Sequence, residues 1–333
     1  MNITKHGTKK RYLLSLGICA LAILPSSKAV AQTQAYPSKP VKIVVGFAPG
    51  GAADYVARTL SEPLSRALGQ TVLVENKPGG GSSIAANTVA KAPADGYTIL
   101  LASPSSISVN PALNPKIGYT AKELAPISKI TSSPLVVAVN NSLGINTLKD
   151  LIDRAKKQPG VLNYATSGNG SAPHLGAALF SQVAGVEMVH IPFRGGSLAI
   201  QSVIAGDTQV TFGTPPSVLP MMQAGRLKGL AVTQREGTPL VPGVPGTKAA
   251  GLPDFSIEFW YGIFVPTGTP PDVAKKIFDA TQIALTDPKV KAALAREGTD
   301  VDLSKSPEQF AGFLNEDAKF WIQLVKSAGV KVD

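Results

Sequence analysis

The amino-acid sequence predicts an α/β protein of two lobes, one inserted within the other, with a ligand cleft between domains joined by two crossover strands. Three observations predict it. Short apolar runs alternate with helical patterns at the spacing of βαβ units, which argues for a parallel sheet. A second series of the same kind begins at Leu135. An aromatic and β-branched run at 259–265 then returns the chain to the first series.

In the first series, 41–47, 71–74 and 97–102 read as strands. Between the first two, Val56, Leu60, Leu64 and Leu68 recur every four residues and give a helix one buried face, with a kink or break expected at Pro63. A second helix over 82–91 follows Pro78-Gly79-Gly80-Gly81 and stops before Pro93. In the second series, strands fall at 135–139, 161–165, 188–191, 210–212 and 230–232. Thr147-Leu148-Lys149-Asp150 is a capped helix start, and further helices lie near 174–184, 198–205 and 218–224. Pro271, Pro288 and Pro307 each suit a first helical position, the last two behind Asp287 and Ser306 as N-caps. With crossings near 134–140 and 259–265, one domain is 36–136 with 262–333 and the other is 137–261.

The N-terminus reads as an export signal. Lys5, Lys9, Lys10 and Arg11 precede an apolar run, and Ala29-Val30-Ala31 forms a small-x-small cleavage site. Cleavage after Ala31 removes 31 of 333 residues and leaves 302, enough for two cores. The formal charge of +10 falls to +5 once the five positive residues of that segment, Lys28 included, are gone. The other Lys and Arg are dispersed, with no basic stripe for nucleic acid. The one cysteine, Cys19, lies inside the signal, so the mature chain has no disulfide, thiolate metal site or thiol nucleophile. Export without disulfides suggests a bacterial periplasm.

Two loops carry the functional signal. Phe47, Pro49, Gly50, Gly51, Ala52 and Asp54 join the first strand to the first helix, where unbonded helix-start N–H groups can hold an anion. Asp54 is expected to fix this loop through backbone N–H groups, or to meet an ordered water or a ligand ammonium. Thr166, Ser167, Gly170, Ser171, Ala172 and His174 repeat the arrangement in the second series, with His174 either donating to an anion or capping the loop. Ser103 and Ser105 follow the third strand, at the edge where α/β sheets bind ligands. Arg194 is a candidate partner for a second acid group, and Gly213 and Thr214 are candidate wall residues. Phe259, Trp260 and Tyr261 offer apolar walls or ordinary core.

Enzyme signatures fail. Gly168-x-Gly170-x-x-Pro173 lacks the third glycine of a dinucleotide fingerprint, and Pro78–Ser83 lacks a P-loop lysine. Gly170-Ser171-Ala172-Pro173 is not a nucleophile elbow, and His174 and His190 are too few for a His-rich metal site. No catalytic residue, cofactor or metal is therefore assigned. The rival readings are an exported hydrolase or lyase built on Ser171, His174 and Asp54, and a sensory receptor for the same ligand.

Further motifs span the mature chain in order: Tyr36-Pro37-Ser38-Lys39-Pro40, Pro49-Gly50-Gly51-x-x-Asp54, Val74-Glu75-Asn76-Lys77-Pro78-Gly79, Ala94-Asp95-Gly96-Tyr97, Gly170-Ser171-x-x-His174, His190-Ile191-Pro192-Phe193-Arg194-Gly195, and Pro266-x-Gly268-Thr269-Pro270. Together they resemble the Bug family of solute receptors, the periplasmic binding proteins of tripartite tricarboxylate transporters. The resemblance implies a type II periplasmic binding protein fold, no catalysis, and a small carboxylate held mainly by backbone groups and ordered waters between the two loops above. It also implies transporter subunits on separate membrane chains. On this reading the receptor is a monomer in the periplasm, and the resemblance leaves the identity of the acid open.

Overall fold

The computed structural model describes residues 35–114 and 116–329; the export signal and its cleavage after Ala31 lie outside them. In chain order the elements are β1 (Val41–Val45), α1 (Ala52–Leu68), β2 (Val72–Asn76), α2 (Ser83–Ala90), β3 (Thr98–Ala102), α3 (Asn110–Leu113), β4 (Leu124–Pro134) and β5 (Val136–Asn140). Then come α4 (Leu148–Lys157), β6 (Asn163–Thr166), α5 (Ala172–Ala184), β7 (Val189–Pro192), α6 (Gly196–Ala205), β8 (Val210–Gly213), α7 (Pro215–Gln223) and β9 (Leu227–Val232). The chain closes with β10 (Glu258–Pro266), α8 (Pro271–Thr286), α9 (Pro288–Arg296), β11 (Asp300–Val301) and α10 (Pro307–Ser327).

Two sheets form, ordered β11-β4-β10-β3-β1-β2 and β7-β6-β8-β5-β9. The βαβ series gives parallel pairs as expected: β1 with β2 and β3, and β6 with β7 and β8. The sheets are nevertheless mixed. β10 runs antiparallel to β3 and β4, and β5 runs antiparallel to β8 and β9. These are the strands through which the chain passes between lobes, so each enters its sheet from the opposite end.

Of the kink or break expected at Pro63, the break does not occur. α1 runs unbroken to Leu68 and ends at Gly69 in the left-handed conformation. Val56, Leu60, Leu64 and Leu68 are all buried, and that packing outweighs the one backbone bond the proline removes. β4 was not foreseen. Its sequence, LAPISKITSSP, has two prolines and four hydroxyl residues, and it becomes a strand because it pairs along its whole length with β10.

Only Leu135 separates β4 from β5. The two crossings meet at Thr233, a buried residue just after β9. Leu135 N–H donates to Thr233 Oγ1 (2.8 Å), which donates to the Ile257 carbonyl (2.6 Å). Thr233 N–H in turn donates to the Leu135 carbonyl (2.9 Å), and Ile257 N–H to the Thr233 carbonyl (3.2 Å). Among the described residues no helix is long and apolar enough to cross a membrane.

Candidate ligand-binding site

The strand-to-helix turn after β1 is held from beneath. Gly50 has φ +80°, a conformation that side chains disfavour, and its N–H donates to Asp54 Oδ2 (3.0 Å). Arg58 Nε reaches the same carboxylate at 2.9 Å, and Asn76 Nδ2 bridges Asp54 Oδ1 and the Phe47 carbonyl, each at 3.0 Å. Burial would raise the Asp54 pKa, but these bonds and the Arg58 charge outweigh it and hold the carboxyl below its ordinary value. Asp54 is thus ionised and fully engaged in fixing the loop, one of the roles expected of it. Asn76, at the end of β2, was quoted in the sequence motif but given no role; it closes this clamp.

The turn after β6 is held by histidines. Gly170 N–H donates to His174 Nδ1 (3.1 Å), so His174 caps the loop, and its neutral ring carries its proton on Nε2. The His174 ring stacks on His190 (3.9 Å between centroids), and His190 Nε2 lies 2.6 Å from Thr166 Oγ1. Burial, together with His190, pushes the His174 pKa down to about 3; burial pushes His190 down to about 4. Both are neutral near pH 7.

The first of these turns faces the start of α6 across a close approach. Ala48 N–H donates to the Arg194 carbonyl (3.3 Å) and Ser197 Oγ to the Pro49 carbonyl (3.2 Å). A Cβ placed on Gly51 would stand 3.6 Å from Gly196 N. Asn110 bonds Gly80 and Gly81 on one side, while its Oδ1 lies 2.3 Å from where a Gly170 Cβ would be, which keeps that position a glycine.

Between the turns lies a cavity where the starts of α1, α5, α6 and α7 converge. Phe47, Gly51, Ala52 and Ala53 line it from α1 and the loop before it; Ser167, Ala172 and Pro173 from the turn into α5; Gly196, Ala199 and Ile200 from α6; Thr211, Gly213, Thr214 and Ser217 from β8 and α7; and Phe259 and Tyr261 from β10. None of these side chains is charged. Nor do the N-caps of the four helices, Gly51, Ser171, Gly195 and Thr214, bond their own helix through a side chain. Elsewhere α4, α9 and α10 are capped by Thr147, Asp287 and Ser306, whereas α2, α3 and α8 have no side-chain cap bond. α7 opens with Pro215-Pro216 and has no first-turn N–H to offer beyond that of Ser217, which bonds the Thr214 carbonyl. At α1, α5 and α6, first-turn N–H groups without intrahelical acceptors, at the positive ends of helix dipoles, can hold an anion without a side-chain cation.

Of the residues expected from sequence, Phe47, Gly51, Ala52, Ser167, Ala172, Gly213 and Thr214 border the cavity. Asp54, Gly50, Pro49, Thr166, Gly170, Ser171 and His174 shape the turns around it. Arg194 is exposed and contributes its backbone carbonyl. Ser103 and Ser105 are buried beside a π-helical turn (Ser105–Val109), away from the cavity wall, and their hydroxyls have no partner. Sequence reasoning missed Gly196, Ala199, Ile200 and Thr211. Nothing local distinguishes them, because they reach the cavity only through the packing of α6 and β8. The imagined triad does not assemble: Asp54 is taken by Arg58, Asn76 and Gly50, and His174 Nδ1 by Gly170. Among the described residues no three His, Cys, Asp or Glu side chains cluster as metal ligands.

Residues 56–330 match the model of the tripartite tricarboxylate transporter family receptor. The chain belongs to this family. Protein BugT of Bordetella pertussis is 33% identical over 299 residues, 89% of this chain and 91% of BugT. The periplasmic binding protein BugD superposes with a TM-score of 0.84 at 31% identity, covering 89% of this chain and 99% of BugD. MatC from Rhodopseudomonas palustris, solved with bound malate, gives 0.83 at 29% identity, covering 87% of this chain and all of MatC. The two-lobed α/β fold is that of periplasmic binding proteins, and the family receptor is a solute-binding protein, not an enzyme.

Proposed function

We propose that this family receptor works in the periplasm, after cleavage behind Ala31, capturing a small carboxylic acid between its lobes. It then presents the closed, loaded form to a tripartite tricarboxylate-type membrane transporter whose subunits are separate chains. The lobes are 36–136 with 262–333, and 137–261. The observation that carries the reading is the cavity itself: several uncapped helix starts meet there with no side-chain charge, a setting in which backbone N–H groups neutralise a carboxylate. The malate held by MatC is an acid of the same class. A carboxylate touching both turns has higher affinity for the closed state than for the open one, and that difference drives closure.

Thermal-shift titration with mono- and dicarboxylates, aromatic acids and acidic amino acids tests the reading. A bound acid at 100 times its Kd raises stability by about 2.7 kcal/mol. Stabilisation by none of these acids, or their consumption over many turnovers, overturns it.

A further inference from the structure

His174, which holds the turn before α5, also borders a groove that shares no lining residue with the anion cavity. The groove measures about 730 Å³, the size of many small-molecule sites. Its walls come from both sheets. Tyr164 of β6, the 186–189 segment and α5 belong to the five-stranded side; Ser327, Ala328 and Gly329 end α10, which packs on β4 of the six-stranded sheet. Ser327 Oγ donates to Gln182 Oε1 (3.1 Å) and joins the two sides.

Two polar groups in this groove lack partners. Tyr164 is 6% and His174 7% exposed. The Tyr164 hydroxyl has no hydrogen-bond partner among the described residues. Neither has His174 Nε2, which carries the ring proton because Nδ1 accepts from Gly170. Neither atom is among the polar atoms sealed from solvent, so the surface each retains opens onto the groove that both residues line. We propose that this groove is a second binding site, for a small uncharged molecule that presents a carbonyl or amide oxygen to His174 and Tyr164, and that its occupant stiffens the turn before α5. The site does not depend on what the anion cavity holds.

The lining selects the class of ligand. It includes Glu187 and no lysine or arginine. α5 and α10 both reach it with their C-terminal turns, the negative ends of their dipoles, which disfavours an anion. An ammonium suits those charges but has no lone pair for the His174 N–H. A neutral oxygen can accept from His174 and Tyr164 together, while Ala178, Val186 and Met188 offer apolar contact to the rest of the molecule. The same bonds reach the turn. An acceptor on Nε2–H makes Nδ1 the better acceptor for Gly170 N–H. Tyr164 also stacks on His190 (5.1 Å between centroids), and the Thr166 hydroxyl that meets His190 accepts from Gly168 N–H (3.2 Å). The ring stack thus grips the turn at both 168 and 170.

Histidine NMR on the full mature chain provides the test, because of the three histidines only His174 and His190 follow Ala31. The probe is benzamide, with benzylamine as its cationic counterpart lacking an acceptor. Benzamide should shift the His174 Nε2 resonance saturably and slow exchange of the Gly170 amide severalfold. Benzylamine should leave that resonance in place. Tyr164→Phe keeps the ring stack and breaks no hydrogen bond, so it should fold normally and bind benzamide severalfold more weakly; should it not fold, the wild-type titrations decide. A groove that takes up water alone, with no saturable His174 shift, overturns the site. So does an equal response to benzylamine, or a benzamide affinity unchanged in folded Tyr164→Phe. A saturable shift with Gly170 exchange unchanged overturns the link to the turn. Each result is read without a carboxylate present, so carboxylate capture stands or falls separately.

Discussion

Asp54→Ala separates two opposite expectations for a carboxylate placed beside an anion site. If Asp54 acted mainly through its charge, removing it would relieve repulsion and tighten acid binding. If it is the clamp of the first turn, removing it loosens the turn and weakens binding. The structure favours the clamp, because the residue is only 4% exposed and holds Gly50, Arg58 and Asn76 at once. Truncation leaves Gly50 N–H without its acceptor, while Asn76 keeps the Phe47 carbonyl. One stranded polar group costs about 1–3 kcal/mol, and the Arg58 pair adds no more than about 1 kcal/mol because the arginine is over half exposed. If most of that cost falls on ordering the turn at binding, the Kd rises about tenfold to a hundredfold. Urea denaturation measures the stability and calorimetry the affinity. Because the folded Asp54 pKa lies below its ordinary 3.8, its contribution is present above that value and lost as pH falls through the folded pKa. The gap between wild type and Asp54→Ala should therefore hold steady down to about pH 4 and close below it. An affinity that is unchanged or improved in a normally folded variant would refute the clamp.

Two further outcomes follow from the same turns. His174→Ala removes the acceptor of Gly170 N–H and should cost about 1–3 kcal/mol of stability. With the folded pKa lowered to about 3 from 6.5, the neutral ring's contribution is full above 6.5 and falls away as pH drops toward 3, so the variant should show a flatter acid limb in pH-dependent denaturation. At Gly51 a single Cβ meets Gly196 N at an ordinary 3.6 Å, so Gly51→Ala should close normally, whereas the branched side chain of Gly51→Val should hold the lobes apart. Small-angle scattering with a binding acid present checks this: Gly51→Val should remain expanded where Gly51→Ala compacts, and equal compaction would remove this contact from the closure.

Much of this was legible in the chain because it rests on local chemistry. The four-residue apolar repeat of α1, the capping box at Thr147 and the Pro-Gly-Gly turn at 49–51 are each decided within a few residues. β4 was not legible, because no stretch of LAPISKITSSP has strand character until β10 lies beside it. The same holds for the far side of the cavity. Ala199, Ile200 and Thr211 read as ordinary core, and only the placement of α6 and β8 turns them toward a ligand. His174 and Asp54 were found for the right reason but at one remove: both act on backbone N–H groups that shape the turns, and neither lines the cavity.

The capping pattern ties the fold to its function. Ser171 and Thr214 are residues that ordinarily cap helices, and at other positions in this chain Thr147, Asp287 and Ser306 do so. At the cavity neither does, and the remaining two caps, Gly51 and Gly195, have no side chain with which to try. The unused Ser171 cap costs about 0.5–2 kcal/mol of helix stability, and the glycine caps of α1 and α6 about a few tenths each. Among the described residues α2 and α8 also begin without a side-chain cap, but only around the cavity do several such starts, those of α1, α5 and α6, border one space. On the function proposed above, an anion entering the cleft would supply the missing cap to helices of both lobes at once. Capping and closure would then be a single event, with the stability withheld from the free helices returned as affinity of the closed state.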